Sequence, residues 1–370
     1  MDPDGASWTV GIEEEYQIID SATRELCPRS DHLLPRVQPA LGEDVQPELY
    51  RSQIETASGI CRTLTDVRAE LVRLRRALLA ATSGGNRIGA AGTHPFSRWN
   101  EQAITPKPRY EGIAQTYRQL ADELIIFGCH VHVGLDDPEG VIHVLNRVRP
   151  WLAPLLALTA NSPFWQGQDT GYASYRTELW SRFPMAGPPH LFASRAEYDS
   201  LVQALVTTGS IEDASKIYWD VRVPERFATI EFRVTDVCLT VDEAVMVAGL
   251  ARALARVCYE QALRDEPFPA VRPELLRAAH WRAARFGLDA DLIDVAAARA
   301  VPAHELIETF LAFVRPGLEA NGDWDEVTAI VRNTLGGGNG ATRQRQVYQR
   351  AGSVEAVVDF IVAETARGLD

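Results

Sequence analysis

Lysine is all but missing from this chain. Of its 370 residues only Lys107, in "TPKPR", and Lys216, in "DASKIY", are lysines, so nearly all of the 37 Lys and Arg residues are arginines. Neither lysine stands in a GxxxxGK[ST] loop, which excludes a Walker-type cradle for phosphates. Paired cysteines are missing as well. Cys27, Cys61, Cys129, Cys238 and Cys258 are odd in number and contain no CxxC, which argues against a disulfide framework or a zinc ribbon and favours free thiols in a reducing cytosol. No HExxH occurs, so zinc fits less well than other metals. No apolar run approaches the ~18 residues of a membrane span, and "MDPDGASW" has neither a basic nor an apolar leader region. A soluble cytoplasmic protein is expected. Positive charge is in deficit too: 37 Lys and Arg against 50 Asp and Glu give a net charge of -13, which argues against nucleic acid or an anionic membrane as partner. Small anions can still bind at a local basic site. The arginine surplus reads as genomic base composition as readily as bidentate recognition.

What is present is ordinary globular material, 46% hydrophobic and 24% charged, ample for a core. No repeat, low-complexity tract or linker divides it, so residues 1–370 are read as a single domain. "LTDVRAELVRLRRALLAATSGG" predicts a helix N-capped by Thr65, with Val67, Leu71, Leu74 and Leu78 at helical spacing and Gly84-Gly85 as its stop. "YEGIAQTYRQLADELIIFG" predicts a second helix closed by Gly128, and "DPEGVIHVLNRVRPWLAPLLALTA" a third. "RIGAAGTHPF", "CHVHVGL", "KIYWDVRV" and "FATIEFRVTDV" read as strands, and from Val241 to Leu369 the pattern is mostly helical. Strands in the first two thirds without βαβ spacing indicate an α+β class, with helices packed on one side of the sheet.

The most informative strand is "TVGIEEEYQIID", Thr9 to Asp20. Alternation puts Gly11, Glu13, Glu15 and Gln17 on one face and Ile12, Glu14, Tyr16 and Ile18 on the other. Glu13 and Glu15 therefore point the same way, with Cα atoms about 6.6 Å apart. At ~5 Å between carboxylates and an effective dielectric near 20 they repel by roughly 3 kcal/mol, so they want a cation, a proton or open water. Other strands carry similar polar faces: Thr229, Glu231, Arg233 and Thr235; His130 and His132; Tyr218, Asp220 and Arg222; and Gln53 with Glu55 in "PELYRSQIETASG", a segment that also holds Glu48. A half-solvated antiparallel sheet alternates in the same way. Its open face usually favours Thr, Ser and Lys, whereas these strands converge on Glu, His, Asp and Arg. Such a cluster matches Mg²⁺ or Mn²⁺. Beside arginines and without a P-loop, it points to a nucleotide held by metal ions, arginines and backbone amides.

"GIEEEYQI", "PELYRSQIETASGICR", "GTHPF", "GCHVHVGL", "NSPFWQGQDTGYASYR", "YWDVRVP", "TIEFRVTDV", "RAARFGLD" and "GNGATRQR" follow one another from about residue 8 to 350. In that order the chain resembles the carboxylate-amine ligases of the glutamate-cysteine ligase type 2 family. The resemblance implies a curved antiparallel sheet forming a funnel of the glutamine synthetase and guanidino kinase type, with helices on its outer face and ATP with Mg²⁺ (or Mn²⁺) inside. It implies transfer of the γ-phosphoryl of ATP to a substrate carboxylate and displacement of phosphate by an amine. The metal ligands it implies are Glu13, Glu15, Glu48, Glu55, His130 and Glu231, all marked independently by the face analysis except Glu48, while Glu14 is structural. The partners are then a small carboxylate and a small amine, glutamate and cysteine by the family's label, with no nucleic acid and no membrane; a homodimer stays open.

Arg233 is expected on a phosphate or a carboxylate, the alternative being a salt bridge to a neighbouring glutamate. Arg176 in "SYRTE" is a candidate bidentate clamp for a substrate carboxylate, with His132, Tyr218 and Asp220 also on the substrate. "GGGNGATRQR" offers the Gly340 amide region, Arg343 and Arg345 to ATP, or is a plain surface loop. Thr342 stands where many members of the family carry an acid, which puts that loop's role in doubt. A magnesium-dependent phosphotransferase or phosphohydrolase using the same acids is the alternative activity.

Overall fold

Fifteen residues from Ala6 to Asp20 form β1, and the main sheet of the computed structural model, which describes residues 6–82 and 84–369, is built on them. The other strands are β2 (Val45–Pro47), β3 (Gln53–Ala57), β4 (Asn86–Gly89), β5 (Gly128–Leu135), β8 (Val221–Arg222) and β9 (Thr229–Asp236). They pair antiparallel in the order β2-β3-β1-β5-β9-β8, with β4 joining the C-terminal end of β1. Two short hairpins, β6 (Phe164–Trp165) with β7 (Gln168–Asp169) and β10 (Leu292–Asp294) with β11 (Arg299–Val301), stand apart.

The expected α+β class holds, and so does the two-faced reading of β1. Ile12 buries with Val131, Val133, Ile230 and Phe232 from β5 and β9 against Val245 and Ala248 of the helix Val241–Leu263. Burying this one apolar face is what orients the polar face of every strand toward the opposite side, since a one-residue slip would invert them all. Glu14 lies on the buried face and is structural: the fully buried Arg75 of the helix Leu64–Ala81 meets both its oxygens and also donates to the carbonyls of Cys238 and Leu239. All five cysteines are buried and unpaired.

Three local expectations are corrected. The helix Leu64–Ala81 is capped by Thr63, not Thr65, because Asp66 three residues on closes a capping box with it. The helix expected to run to Gly128 stops at Tyr117, where Arg118 turns the chain at φ +50°; a short turn Gln119–Asp122 follows, and Gly128 opens β5 instead of closing a helix. Ile125, Ile126 and Phe127 are all buried, so this stretch is spent on filling the core rather than on an amphipathic helix face. In "KIYWDVRV" only Val221–Arg222 pairs as strand, after a 3-10 turn at Ala214–Lys216.

The histidine of "GTHPF" has a structural duty with a testable consequence. Nδ1 of His94 accepts the backbone N–H groups of Phe96 and Ser97, at 3.2 and 3.0 Å, and Nε2 lies 2.9 Å from the Arg24 carbonyl. Nδ1 therefore has no room for a proton, and burial brings the ring's pKa down to about 3. The unfolded chain takes up that proton first, near pH 6.5, so the stabilisation is complete above pH 6.5 and is lost as pH falls toward 3. The loss due to this ring is expected to reach about 2 kcal/mol at pH 5. Urea unfolding of the parent and of His94→Asn at pH 7 and pH 5 checks it: the parent must lose more between the two pH values than the variant does.

Candidate active site

The register of the sheet stacks the acids. Glu15 lies directly opposite Glu55 across β1 and β3, Glu13 opposite His130 across β1 and β5, and Glu231 opposite His132 across β5 and β9 and opposite Arg222 across β8. Like charges placed face to face destabilise a sheet, so an all-carboxylate pair such as Glu15 with Glu55 marks a place that stability alone does not favour. Glu13, Glu15, Glu48, Glu55, His130, Arg176, Tyr218, Arg222 and Arg233 line one funnel of about 520 Å³. Among the described residues two ligand groups form: Glu13 with Glu55 and His130 at the funnel wall, and Glu13 with His132 and Glu231, which do not line it, the donor atoms of each group lying within 4.8 Å of one another. Glu13 belongs to both. Glu15 and Glu48 line the same funnel but lie outside these two groups.

The electrostatics separate two kinds of acid. Burial pushes Glu15 up to about 7, with the Glu48 charge adding to it, although the Gly128 N–H donates to its Oε2 at 2.5 Å. Burial likewise raises Glu48, and it lifts Glu55 well above the usual carboxylate range with the help of the Glu13, Glu48 and Glu15 charges. All three thus take up a proton more readily than a free carboxylate does when no cation is near. Burial works the same way on Glu13, but its hydrogen bonds to His130 and His132 outweigh it and hold it well below the usual range. Burial also opposes ionisation of Glu231, yet the Arg233 and Arg222 charges keep it at about 2. Burial, together with the Arg233 charge, brings His130 down to about 4, leaving the neutral imidazole that a metal requires. The donor set of carboxylates and neutral imidazole fits a hard divalent cation, whose arrival would release the protons held by Glu15, Glu48 and Glu55.

The arginines divide as well. Arg222 donates from Nε to Glu231 at 2.6 Å, and Nη1 of Arg233 reaches the same carboxylate. Arg233 also lies 3.4 Å from His130 and sits over the Trp180 ring, so it faces the funnel and makes the salt bridge. Arg176 approaches Asp236 at 3.9 Å, and its Nη2 hydrogen-bonds the Arg233 carbonyl. Gly128 makes this approach possible: a Cβ there would fall 2.4 Å from Arg176 Nη2 and 3.2 Å from His130 Nε2. Gly128→Ala is therefore expected to displace both and lower turnover about 10- to 100-fold, with a stability loss within the ~1–3 kcal/mol of an overpacked site. Steady-state rates set beside an unfolding curve test this.

Other expected residues lie elsewhere. His132 lines a neighbouring, mostly apolar pocket, and Asp220 lines a separate cavity where it faces His280. Arg343 pairs with Glu243 and Glu364, Arg345 is bidentate to Asp169, and Gly340 packs against Asn161; none of the three lines the funnel or the apolar pocket. Lys107 reaches the funnel wall, whereas Lys216 is buried. Sequence reasoning passed over Arg109 and Trp180, which the funnel also gathers.

Solved structures of the same fold are distant in sequence. The chain superposes on a glutamate–cysteine ligase of Francisella tularensis in complex with AMP with a TM-score of 0.72 at 13% identity, over 98% of this chain and 90% of that one. A bifunctional glutathione synthetase of Pasteurella multocida gives 0.71 at 15% identity, over 97% of this chain and 51% of that one. An antiparallel sheet with helices on its outer face is the fold they share, and the match to glutamate-cysteine ligase family 2 makes the chain an ATP-dependent carbon–nitrogen ligase. Closer kinship comes from sequence. Proteins provisionally named glutamate–cysteine ligase 2 from Rhodopirellula baltica and glutamate–cysteine ligase 2-2 from Frankia alni are each 43% identical to it, over 96% of this chain and 96% and 97% of theirs. The profile of glutamate-cysteine ligase family 2 (GCS2) matches residues 9–360, and the chain belongs to that family.

Proposed function

We propose that this enzyme joins a small carboxylate to a small amine through an acyl phosphate made from ATP. The observation that carries the reading is the column of Glu13, Glu15, Glu48, Glu55, His130 and Glu231 with Arg222 and Arg233 beside it on one sheet face. Mg²⁺ or Mn²⁺ held there would supply the charge neutralisation that lets an anionic carboxylate approach a triphosphate. Beyond Glu13 a second pocket, of about 460 Å³, is walled by Val10, Gly11, Ile12, Ala57, Ile60 and Phe227. Ile60 is 83% and Phe227 60% exposed, an apolar mouth suited to a planar base. We place the nucleotide base there and the carboxylate in the polar funnel, with Glu13 at the border between them. Arg233, and Arg176 behind it, then face the phosphoryl and carboxylate oxygens.

A carboxylate oxygen attacks the γ-phosphorus, and the bond to the ADP oxygen breaks. The amine nitrogen next attacks the carbonyl carbon; the C–N bond forms, the C–O bond to phosphate breaks, and the nitrogen's proton leaves with the phosphate. Water kept out of the funnel protects the mixed anhydride. The relatives' names suggest glutamate and cysteine as the pair, and the unpaired cysteines suit a cytosolic enzyme. A carboxylate substrate labelled with oxygen-18 should deliver one labelled oxygen to the phosphate released. Phosphate whose fourth oxygen comes only from solvent, beside the three from ATP, would mean plain hydrolysis and would end the ligase reading in favour of a phosphohydrolase.

A further inference from the structure

Beside the funnel lies a larger cavity, of about 860 Å³, that none of these steps uses. It is bounded by the segment from Arg176 to Pro188, by Trp219 and Asp220, and by the helix Pro273–Phe286, and it shares Arg176, Trp180 and Phe183 with the funnel. Its walls hold buried polar atoms without a hydrogen bond among the described residues. Arg149, in the 3-10 turn Arg149–Trp151, is 3% exposed; its one hydrogen bond among the described residues is a long 3.4 Å contact to the Val271 carbonyl. Its Nε is unbonded, and it makes no ion pair among the described residues. His280 has Nε2 3.0 Å from Asp220 Oδ2, yet out of alignment, so that neither ring nitrogen nor that oxygen makes a hydrogen bond. Arg176 Nε is equally unused.

A buried guanidinium with no counter-charge is strongly unfavourable, and a buried carboxylate oxygen that faces one unaligned imidazole is incompletely satisfied. Cation and anion on the wall of one cavity are matched together by a ligand that carries both signs. Arg277, exposed on the same lining, adds positive charge at the rim. A zwitterion in this cavity would also lie next to Arg176, where the funnel begins. Resting on the ligase reading, we propose that this cavity seats the amine substrate and selects an amine that itself carries a carboxylate, the carboxylate against Arg149 and the ammonium against Asp220 with His280. Arg149 and Asp220 then determine specificity, and the shared wall at Arg176, Trp180 and Phe183 is the way from this cavity into the funnel.

The test is calorimetric binding to the unmodified protein and to Arg149→Gln, with Mg²⁺ and ADP present. L-Cysteine, L-alanine and glycine are each compared with the amine that lacks the carboxylate: cysteamine, ethylamine and methylamine. At least one amino acid should bind the unmodified protein about 10-fold or more tightly than its amine, as a charge-assisted contact requires, and Arg149→Gln should erase that preference. No binding, no preference, or a preference that survives the substitution overturns the proposal. Should Arg149→Gln fail to fold by near-ultraviolet circular dichroism, Asp220→Asn decides: it should weaken the same amino acid about 10-fold, and unchanged affinity overturns the assignment. Hydroxamate formation from ATP, hydroxylamine and a panel of small carboxylates that includes L-glutamate, by the unmodified protein, examines the ligase reading separately; without it for any of them that reading falls, whatever the cavity binds.

Discussion

Glu13→Gln is expected to reduce amide-forming turnover on the order of 10³-fold or more, the several kcal/mol that a bound metal ion contributes to a phosphoryl-transfer transition state. Glu13 belongs to both ligand groups, and its pKa is held well below the usual range, so it is ionised and ready. The substitution removes one negative charge from a crowd of acids, so the fold should be no less stable than the parent without metal. Glu14→Gln should do the reverse. It leaves Arg75 buried with no carboxylate, a change that costs about 3–5 kcal/mol, while the metal site one residue away keeps its ligands. Manganese binding, followed by paramagnetic relaxation of water, and urea unfolding of both variants separate the two cases. Normal turnover in Glu13→Gln would sink the metal assignment, and a stable Glu14→Gln protein would sink the account of the inner face.

That neighbouring glutamates point to opposite faces was readable from the sequence, because strand periodicity is strict and the inner face of β1 is apolar except at Glu14. The same rule exposed His130, His132, Glu231 and Arg233. It put Asp220 on the funnel face, where Asp220 does not lie, since only Val221 and Arg222 there are strand and Asp220 faces a separate cavity and His280, sixty residues away in sequence. Periodicity has no means of showing such a partner. Arg343 and Arg345 looked like phosphate ligands because a Gly-rich run precedes them, but the carboxylates that hold them, Glu243, Glu364 and Asp169, come from distant segments. Trp180 was invisible for the same reason: its place beside Arg233 depends on how a six-residue helix, Tyr175–Trp180, lies across β9. Local pattern thus located the polar face of the sheet, while long-range packing decided which arginines line the funnel.

Arg233→Lys is expected to lose on the order of 10²-fold in turnover. The guanidinium already has one hand on Glu231, lies 3.4 Å from His130 and rests over the Trp180 ring, while its Nε is unbonded. That geometry lets a planar fork hold its carboxylate and turn a second edge toward an incoming oxygen. Lysine keeps the charge but has no second edge, and its compact ammonium stacks less well on an indole. It must choose between Glu231 and the substrate. Arg222 would still grip Glu231 through Nε and Nη2, so the strand pairing and the fold should persist. Lys107, the one lysine on the funnel wall, is exposed; Lys107→Ala should stay within about 10-fold of the parent, because an exposed point charge is screened by water. Steady-state ADP production at saturating ATP, Mg²⁺ and both substrates ranks the two variants. If Lys107→Ala proved crippled and Arg233→Lys near normal, the triphosphate would have to lie toward the Lys107 side of the funnel, and its placement on the sheet face beside Glu231 would be wrong.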